Sequence, residues 1–172
     1  MPRELLILRH AKSAWDTPAA SDYERPLNGR GKRDAPRIGA WLCAQGLLPD
    51  YVLASPARRA RQTTRRVCKA LGLDPDRVTW QPQLYLANVP TLLEALAGCP
   101  ADATRVLLVG HNPGLEELLE YLGGTHLPPA PGGKRLPTAT VARLVLPEDW
   151  AHLAAGAGEL LAWVRPRDLP EA

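Results

Sequence analysis

Arg9 and His10 stand side by side directly after a short apolar run at residues 5–8. An apolar run of this length is typical of a buried strand, and open α/β sheets bind ligands just beyond the carboxyl ends of their strands. A guanidinium suits bidentate binding of phosphate, and a neutral imidazole is a competent nucleophile toward phosphorus. The pair therefore indicates phosphoryl transfer through histidine.

Two further strand candidates end in polar residues in the same way. Residues 51–54 lead to Ser55 and an arginine-rich segment, and residues 106–109 lead to His111. If these strands are parallel, their carboxyl ends open onto one edge of the sheet, where exposed helix N-termini also favour anions. The sequence therefore predicts that two histidines and at least two arginines gather at one phosphate site.

Each of these pieces also has a plainer interpretation. His111 could simply order a junction between a strand and a helix, and the arginines could form a solvated helix face. However, residues 51–73 contain five Arg and one Lys but no Asp or Glu, so ion pairs one helical turn apart cannot balance these charges. This imbalance favours an anion as the partner of some of the arginines.

Strand and helix patterns alternate along the chain. Strands are predicted near residues 5–8, 51–54, 78–80, 105–109, 140–146 and 160–165, and helices near 31–45, 56–71, 91–97 and 113–122. Ser55 is expected to cap the second helix with Pro56 at its first position, and Gly72 is expected to end it. The alternation predicts an α/β fold, a three-layer α/β/α sandwich with a mostly parallel central sheet.

Length and composition set the class of protein. The 172 residues, 45% of them apolar and 23% charged, suit a single globular domain over 1–172. The net charge of +3 is too small to indicate nucleic acid. Three widely spaced cysteines favour a reducing compartment over a disulfide framework, and neither a signal peptide nor a run of membrane-spanning length is visible. A cytoplasmic protein with no membrane partner is expected.

Five segments together resemble a known family. They are LRHAKS at residues 8–13, SPARRARQT at 55–63, VGHNP at 109–113 and, in support, DYERPLN at 22–28 and LPT at 136–138. In this order they are similar to the histidine phosphatase superfamily (phosphoglycerate mutase-like), and within it to the SixA-like phosphohistidine phosphatases. The resemblance covers nearly the whole chain, whose short length fits the SixA-like group.

The resemblance implies a role for each matching residue. His10 corresponds to the nucleophile that becomes phosphorylated, Arg9 and Arg59 to phosphate-binding residues, and His111 to the second histidine of the pocket. It implies a phosphatase that needs no metal or other cofactor and acts on phosphohistidine in a protein. Ala11 departs from the pattern, because many relatives have glycine there and alanine leaves the backbone less free.

The charges predict how this chemistry would run. The arginines should favour the neutral form of His10 by repulsion and stabilise charge on the equatorial phosphoryl oxygens, while His111 could donate a hydrogen bond and, if protonated, add charge. Residues 83–90 lack the carboxylate that larger relatives use as a general acid. Asn88 could polarise a bound group instead, whereas Asp22 and Glu24 are expected to be solvated or paired to Arg25. The missing acid favours a labile phosphoryl donor.

Several alternatives stay open at this point. The chain could be a small-molecule phosphomonoesterase, acting on a sugar phosphate or similar compound, or a non-catalytic phosphohistidine-binding regulatory module. Nucleic-acid binding by the basic segment 58–69 is not expected without interleaved aromatic residues. Cys99 and Arg105 have the spacing of cysteine phosphatases, and Asp74 and Asp76 that of haloacid dehalogenases, but neither pair follows a strand as that chemistry requires.

Overall fold

The computed structural model describes residues 2–147 and 149–170, which form a mixed sheet covered by helices. The strands are β1 (Arg3–Arg9), β2 (Tyr51–Ala54), β3 (Thr79–Trp80), β4 (Arg105–Gly110), β5 (Val141–Leu146) and β6 (Glu159–Val164), and the helices are α1 (Gly29–Ala44), α2 (Arg58–Leu71), α3 (Val89–Ala97) and α4 (Gly114–Gly123). Short 3₁₀ turns, among them Asp22–Glu24 and Pro166–Asp168, punctuate the connections.

The six strands lie in the order β3-β2-β4-β1-β5-β6. The first four are parallel to one another, whereas β5 runs antiparallel to β1, and β6 antiparallel to β5. The predicted α/β class with a mostly parallel sheet is therefore confirmed. The two antiparallel strands return the chain so that the carboxyl end of β6 lies at the same edge of the sheet as that of β1.

The middle of strand β1, residues 5–8, is continuously apolar because helices cover both of its faces. Leu5 and Ile7 pack in the cluster that contains the apolar residues of α3 and α4. Leu6 and Leu8 pack in the other cluster, with the apolar residues of α1 and α2. All four side chains are fully buried, so the continuous apolar run in the sequence reflects a three-layer arrangement.

The ends of α2 show one correct prediction and one error. Gly72 ends the helix in the left-handed conformation, with φ +73°, which glycine adopts without a steric penalty. The helix starts at Arg58 rather than at Pro56, and Ala57 precedes it. The capping prediction for Ser55 was wrong: Ala57 stands at the cap position. The Ser55 hydroxyl accepts from the amide of Ala57 at 3.3 Å and lies 2.8 Å from the ring of His111. Among the described residues, no helix combines the length and apolarity needed to cross a bilayer.

Candidate active site

The predicted site residues meet at the carboxyl edge of the sheet. Strands β1 and β4 pair with Arg9 opposite Gly110, so the next residues, His10 and His111, emerge side by side. Their ring centroids are 5.3 Å apart, and the two residues are 5% and 3% exposed. Arg59, in the first turn of α2, completes the group and is 2% exposed. The structure therefore brings together all of the residues on which the sequence argument depends.

A backbone contact sets the tautomer of His10. Its Nδ1 lies 2.7 Å from the carbonyl oxygen of Ala11, and a carbonyl can only accept, so Nδ1 carries the proton. The other nitrogen, Nε2, therefore has a free lone pair. Burial, with smaller contributions from His111, Arg9 and Arg59, lowers the pKa of His10 to about 3. The ring is neutral as expected, but burial rather than repulsion by the arginines is the main cause.

The two guanidinium groups keep unused donors. Arg59 donates to the backbone oxygen of Asp22 at 2.7 Å and to its carboxylate at 3.0 Å, and Arg9 donates to the carbonyl oxygen of Leu136 at 3.3 Å. Within the described part of the chain, the buried Nε atoms of both arginines have no hydrogen-bond partner. Because buried donors are normally satisfied, the arrangement suits a bound oxyanion.

Asp22 belongs to this site, a role that its sequence context does not predict. The expected pairing with Arg25 is present at 3.0 Å, but the carboxylate also accepts from Arg59 at 3.0 Å and from the Tyr85 hydroxyl at 2.6 Å. These donors, Tyr85 foremost, lower the pKa of Asp22 to about 2. Asp22 is therefore an ionised anchor for Arg59 and not a proton donor at neutral pH.

His111 is bound on one side only. Its Nε2 lies 2.8 Å from the Ser55 hydroxyl, whereas its buried Nδ1 has no partner among the described residues. Burial, assisted by Arg59, lowers the pKa of His111 to about 3. His111 is therefore neutral in the free protein, so it adds no charge to the site in that state. Ser55, which the sequence argument treated as a helix cap, is a partner of this ring.

Acid stability tests these pKa values. The pKa of His111 is about 3 in the folded protein and near 6.5 when unperturbed, so between these values the unfolded chain binds a proton that the folded chain does not. Stability is then lost as pH falls below 6.5, by about 1 kcal/mol for each such histidine from pH 6.5 to pH 5.5. His111→Gln should make the free energy of unfolding by urea correspondingly less dependent on pH.

The matched control removes an exposed imidazole. His152 is exposed, and its contact with Asp149 is an exposed ion pair of the kind that contributes little to stability, so His152→Gln should change the pH dependence of unfolding much less than His111→Gln does. Equal pH slopes for His111→Gln and the parent would contradict the buried, neutral state of His111.

The segment after residue 135 fixes the backbone of the Arg9-His10 pair. The amide of Ala139 donates to the carbonyl oxygens of both residues at 3.1 Å, and the amide of Arg9 donates to Thr140 at 3.2 Å. On the other side, the amide of Ala11 donates to the Thr63 hydroxyl at 2.9 Å. Ala11 is not among the described residues with positive φ, so alanine fits here without strain.

Asn88 has a structural role. Its side-chain oxygen accepts from the amide of Thr91 at 3.1 Å and caps α3, so the suggestion that Asn88 polarises a bound group finds no support in these contacts. In the part of the chain that the structure describes, no cluster of three or more His, Cys, Asp and Glu residues is arranged to hold a metal ion.

Comparison with known proteins identifies the family. The model of the histidine phosphatase superfamily (branch 1) matches residues 5–84. An uncharacterized protein of Mycobacterium tuberculosis is 36% identical over 93% of this chain and 100% of its own length. Phosphohistidine phosphatase SixA of Escherichia coli strain K12 is 31% identical over 85% of this chain and 87% of its own. The chain belongs to the histidine phosphatase superfamily.

A solved structure agrees over nearly the whole length of this histidine phosphatase. The structure of a SixA from Nakamurella multipartitia, described as a putative phosphohistidine phosphatase, superposes with a TM-score of 0.81 at 31% identity, over 96% of this chain and 97% of its own. The predicted resemblance to SixA-like proteins is therefore confirmed in both sequence and fold. These relatives support phosphatase activity for this member of the superfamily.

Proposed function

We propose that this histidine phosphatase removes phosphate from phosphohistidine in a protein, without a metal ion, through a phosphorylated intermediate on His10. The observation that carries the proposal is the free lone pair at His10 Nε2. The proton on Nδ1 is held by the carbonyl of Ala11, 2.7 Å away, and the unused donors of Arg9 and Arg59 lie in the same site. A neutral nucleophile beside guanidinium groups suits attack on an anionic phosphoryl group.

In the first step, His10 Nε2 attacks phosphorus. A bond from Nε2 to phosphorus forms as the bond from phosphorus to the substrate nitrogen breaks. The departing imidazole carries a proton on its other ring nitrogen and leaves as the neutral ring. Phosphorylated His10 keeps its Nδ1 proton against the Ala11 carbonyl, so its ring is positively charged and becomes a good leaving group in turn.

In the second step, water attacks phosphorus and the bond to Nε2 breaks. The electron pair returns to Nε2, phosphate leaves with the water oxygen, and the water proton passes to phosphate or solvent. Arg9 and Arg59 would stabilise the charge on the equatorial oxygens in both steps. The unpartnered Nδ1 of His111 is a further group for hydrogen bonding to the phosphoryl oxygens.

The electrostatics of Asp22 favour a labile donor. An alkyl phosphate needs a proton for its leaving alkoxide, and general acids contribute about 10²–10⁴-fold in such reactions. Asp22 is the carboxyl group that contacts Arg59, and its pKa is held at about 2, so it cannot supply that proton at neutral pH. A phosphohistidine donor does not need it. The name of the E. coli relative, a phosphohistidine phosphatase, supports the same substrate.

A substrate panel tests the proposal. The protein is assayed on a protein phosphorylated at histidine by phosphoramidate, on p-nitrophenyl phosphate and on glucose 6-phosphate. We expect kcat/KM for phosphohistidine to exceed that for glucose 6-phosphate by about 100-fold or more, because only the alkoxide needs an acid. Equal or faster hydrolysis of the sugar phosphate would instead identify a small-molecule phosphomonoesterase, and binding without turnover would identify a regulatory module.

A further inference from the structure

A cavity opens at the same edge of the sheet as the candidate active site, on the side of β5 and β6. It has a volume of about 450 Å³ and is bordered by Arg30, Lys134, Arg165 and Arg167, with Thr138 and Thr140 in its wall. This volume lies within the range of about 300–1,000 Å³ that is usual for small-ligand sites. Pairing of Leu8 with Val141, and of Val141 with Val164, aligns this end of β6 with the end of β1 that carries Arg9 and His10.

The cavity and the candidate active site share a wall. Pro137, Thr138 and Thr140 border the cavity. Between them, the amide of Ala139 donates to the carbonyl oxygens of Arg9 and His10. One short segment therefore both borders the cavity and supports the backbone of the nucleophile. A ligand that occupies the cavity and also reaches His10 would have to extend past only that segment.

The charge of the cavity is strongly positive. Four cationic side chains border it, and none of its described lining residues is a carboxylate. Asp34 lies 3.4 Å from Arg30, and Asp168 lies 2.9 Å from Arg165. These two carboxylates balance half of the cations. Lys134 and Arg167 are exposed, and they supply the excess of positive charge.

A buried hydroxyl points to the same ligand chemistry. Thr140 is fully buried, lines the cavity, and its Oγ1 has no hydrogen-bond partner among the described residues. Buried polar side chains normally have a partner. The hydroxyl is an unused donor within the wall of the cavity, and the surrounding cations would neutralise the charge of an anion bound there.

We propose that this cationic cavity binds a second anionic group of the substrate, a phosphate or a carboxylate, while the phosphoryl group to be transferred lies at His10. The inference rests on the proposed phosphatase function and adds a specificity site to it. The second anion has two possible sources: an acidic side chain near the phosphohistidine of a protein substrate, or a second phosphate of a small molecule. Both would be recognised by the same charges.

The test removes the excess charge and compares matched substrates. The variant Lys134→Ala/Arg167→Ala is assayed on two phosphohistidine peptides, flanked by three Glu or by three Gln, and on the mono- and bisphosphates of 1,3-propanediol. The control Lys69→Ala/Arg77→Ala removes the same charge from exposed positions at and beyond the C-terminal end of α2. Hydrolysis of p-nitrophenyl phosphate reports on the site at His10.

We expect the cavity variant to raise KM about tenfold for the doubly anionic member of one substrate pair, with kcat unchanged. The singly anionic member and p-nitrophenyl phosphate should change by less than about twofold, and the control variant should match the parent. An effect on the Glu peptide identifies an acidic protein segment as the source of the anion, and an effect on the bisphosphate identifies a small molecule. Equal changes within both pairs, or none, would overturn the inference.

Direct binding separates this inference from the proposed function. Inorganic pyrophosphate is titrated into each variant while the amide resonances of Thr138 and Thr140 are followed by NMR. Shifts in the parent and the control, with weaker binding in the cavity variant, would support the anion site. They would support it even if the parent hydrolysed none of the substrates, because lack of hydrolysis would count only against the proposed function. Shifts of equal affinity in all three proteins, or none in the parent, would overturn the site.

Discussion

Replacing His10 with alanine is expected to lower kcat on p-nitrophenyl phosphate by on the order of 10⁴-fold or more, because the attacking nitrogen is removed. The neighbouring imidazole cannot easily substitute for it. His111 uses Nε2 in a 2.8 Å contact with the Ser55 hydroxyl, and its ring centroid is 5.3 Å from that of His10. Steady-state rates of the purified variant, with circular dichroism to verify its fold, measure the effect.

Labelling with ³²P then identifies the histidine nitrogen that becomes phosphorylated. The parent protein is mixed with a ³²P-phosphohistidine substrate and quenched in base, which preserves phosphoramidates. We expect label on the peptide that contains His10, attached to Nε2, because Nδ1 is held by the Ala11 carbonyl. His152→Ala, which changes an exposed ring, should label and turn over normally. Full turnover by His10→Ala, or label on His111, would disprove the mechanism.

Replacing Arg59 with alanine is expected to reduce kcat/KM by about 10²–10³-fold, the usual effect of removing one donor that stabilises transition-state charge. Arg59 is 2% exposed, and its Nε has no partner in the described residues, so it is held in place with a donor to spare. Arg59→Lys should recover only part of the loss, because an ammonium keeps the charge but lacks the planar fork. Both values come from initial rates on p-nitrophenyl phosphate.

The adjacent arginine provides the matched control for Arg59. Arg58 lies one position earlier on α2 and donates to the carbonyl of Glu24 at 3.5 Å, so Arg58→Ala should change kcat/KM by less than about threefold. A loss at Arg58 as large as that at Arg59 would show that the phosphate arginine has been assigned to the wrong position.

Neutralising Asp22 shows whether its carboxylate competes with phosphate for Arg59 or is needed to position the Arg59 side chain. Asp22→Asn removes the charge that now occupies one side of Arg59, while the backbone carbonyl of Asp22, 2.7 Å from the other side, stays in place. Inhibition by inorganic phosphate should then strengthen by up to about fivefold, in keeping with an ion pair of ~0.2–1 kcal/mol. Weaker inhibition would mean that the carboxylate is needed to position the guanidinium.

The sequence predicts what depends on local pattern. Strand β1 is evident from an apolar run that is buried on both faces, and parallel pairing of β1 with β4 then brings His10 and His111 together without any knowledge of loops. The end of α2 at Gly72 follows from the conformational freedom of one residue. These features need only periodicity and chain direction.

The remaining features depend on contacts between distant residues. Ser55 has the ordinary pattern of a helix cap, but its hydroxyl lies 2.8 Å from the ring of His111, 56 positions away. Tyr85 reaches Asp22 across 63 positions, and no spacing rule relates them. The low pKa of His10 arises first from burial, which depends on how the helices close over the edge of the sheet. Local pattern cannot supply any of these.

The central place of β1 divides the site into a part held by the sheet and a part held by a connection. The strand is hydrogen-bonded to β4 on one side and to β5 on the other, so the backbone that carries Arg9 and His10 opens only when the middle of the sheet does. Asp22, by contrast, lies in a half-exposed turn on a connection. Substitutions on that connection can therefore change how Arg59 is held without displacing the ring of His10.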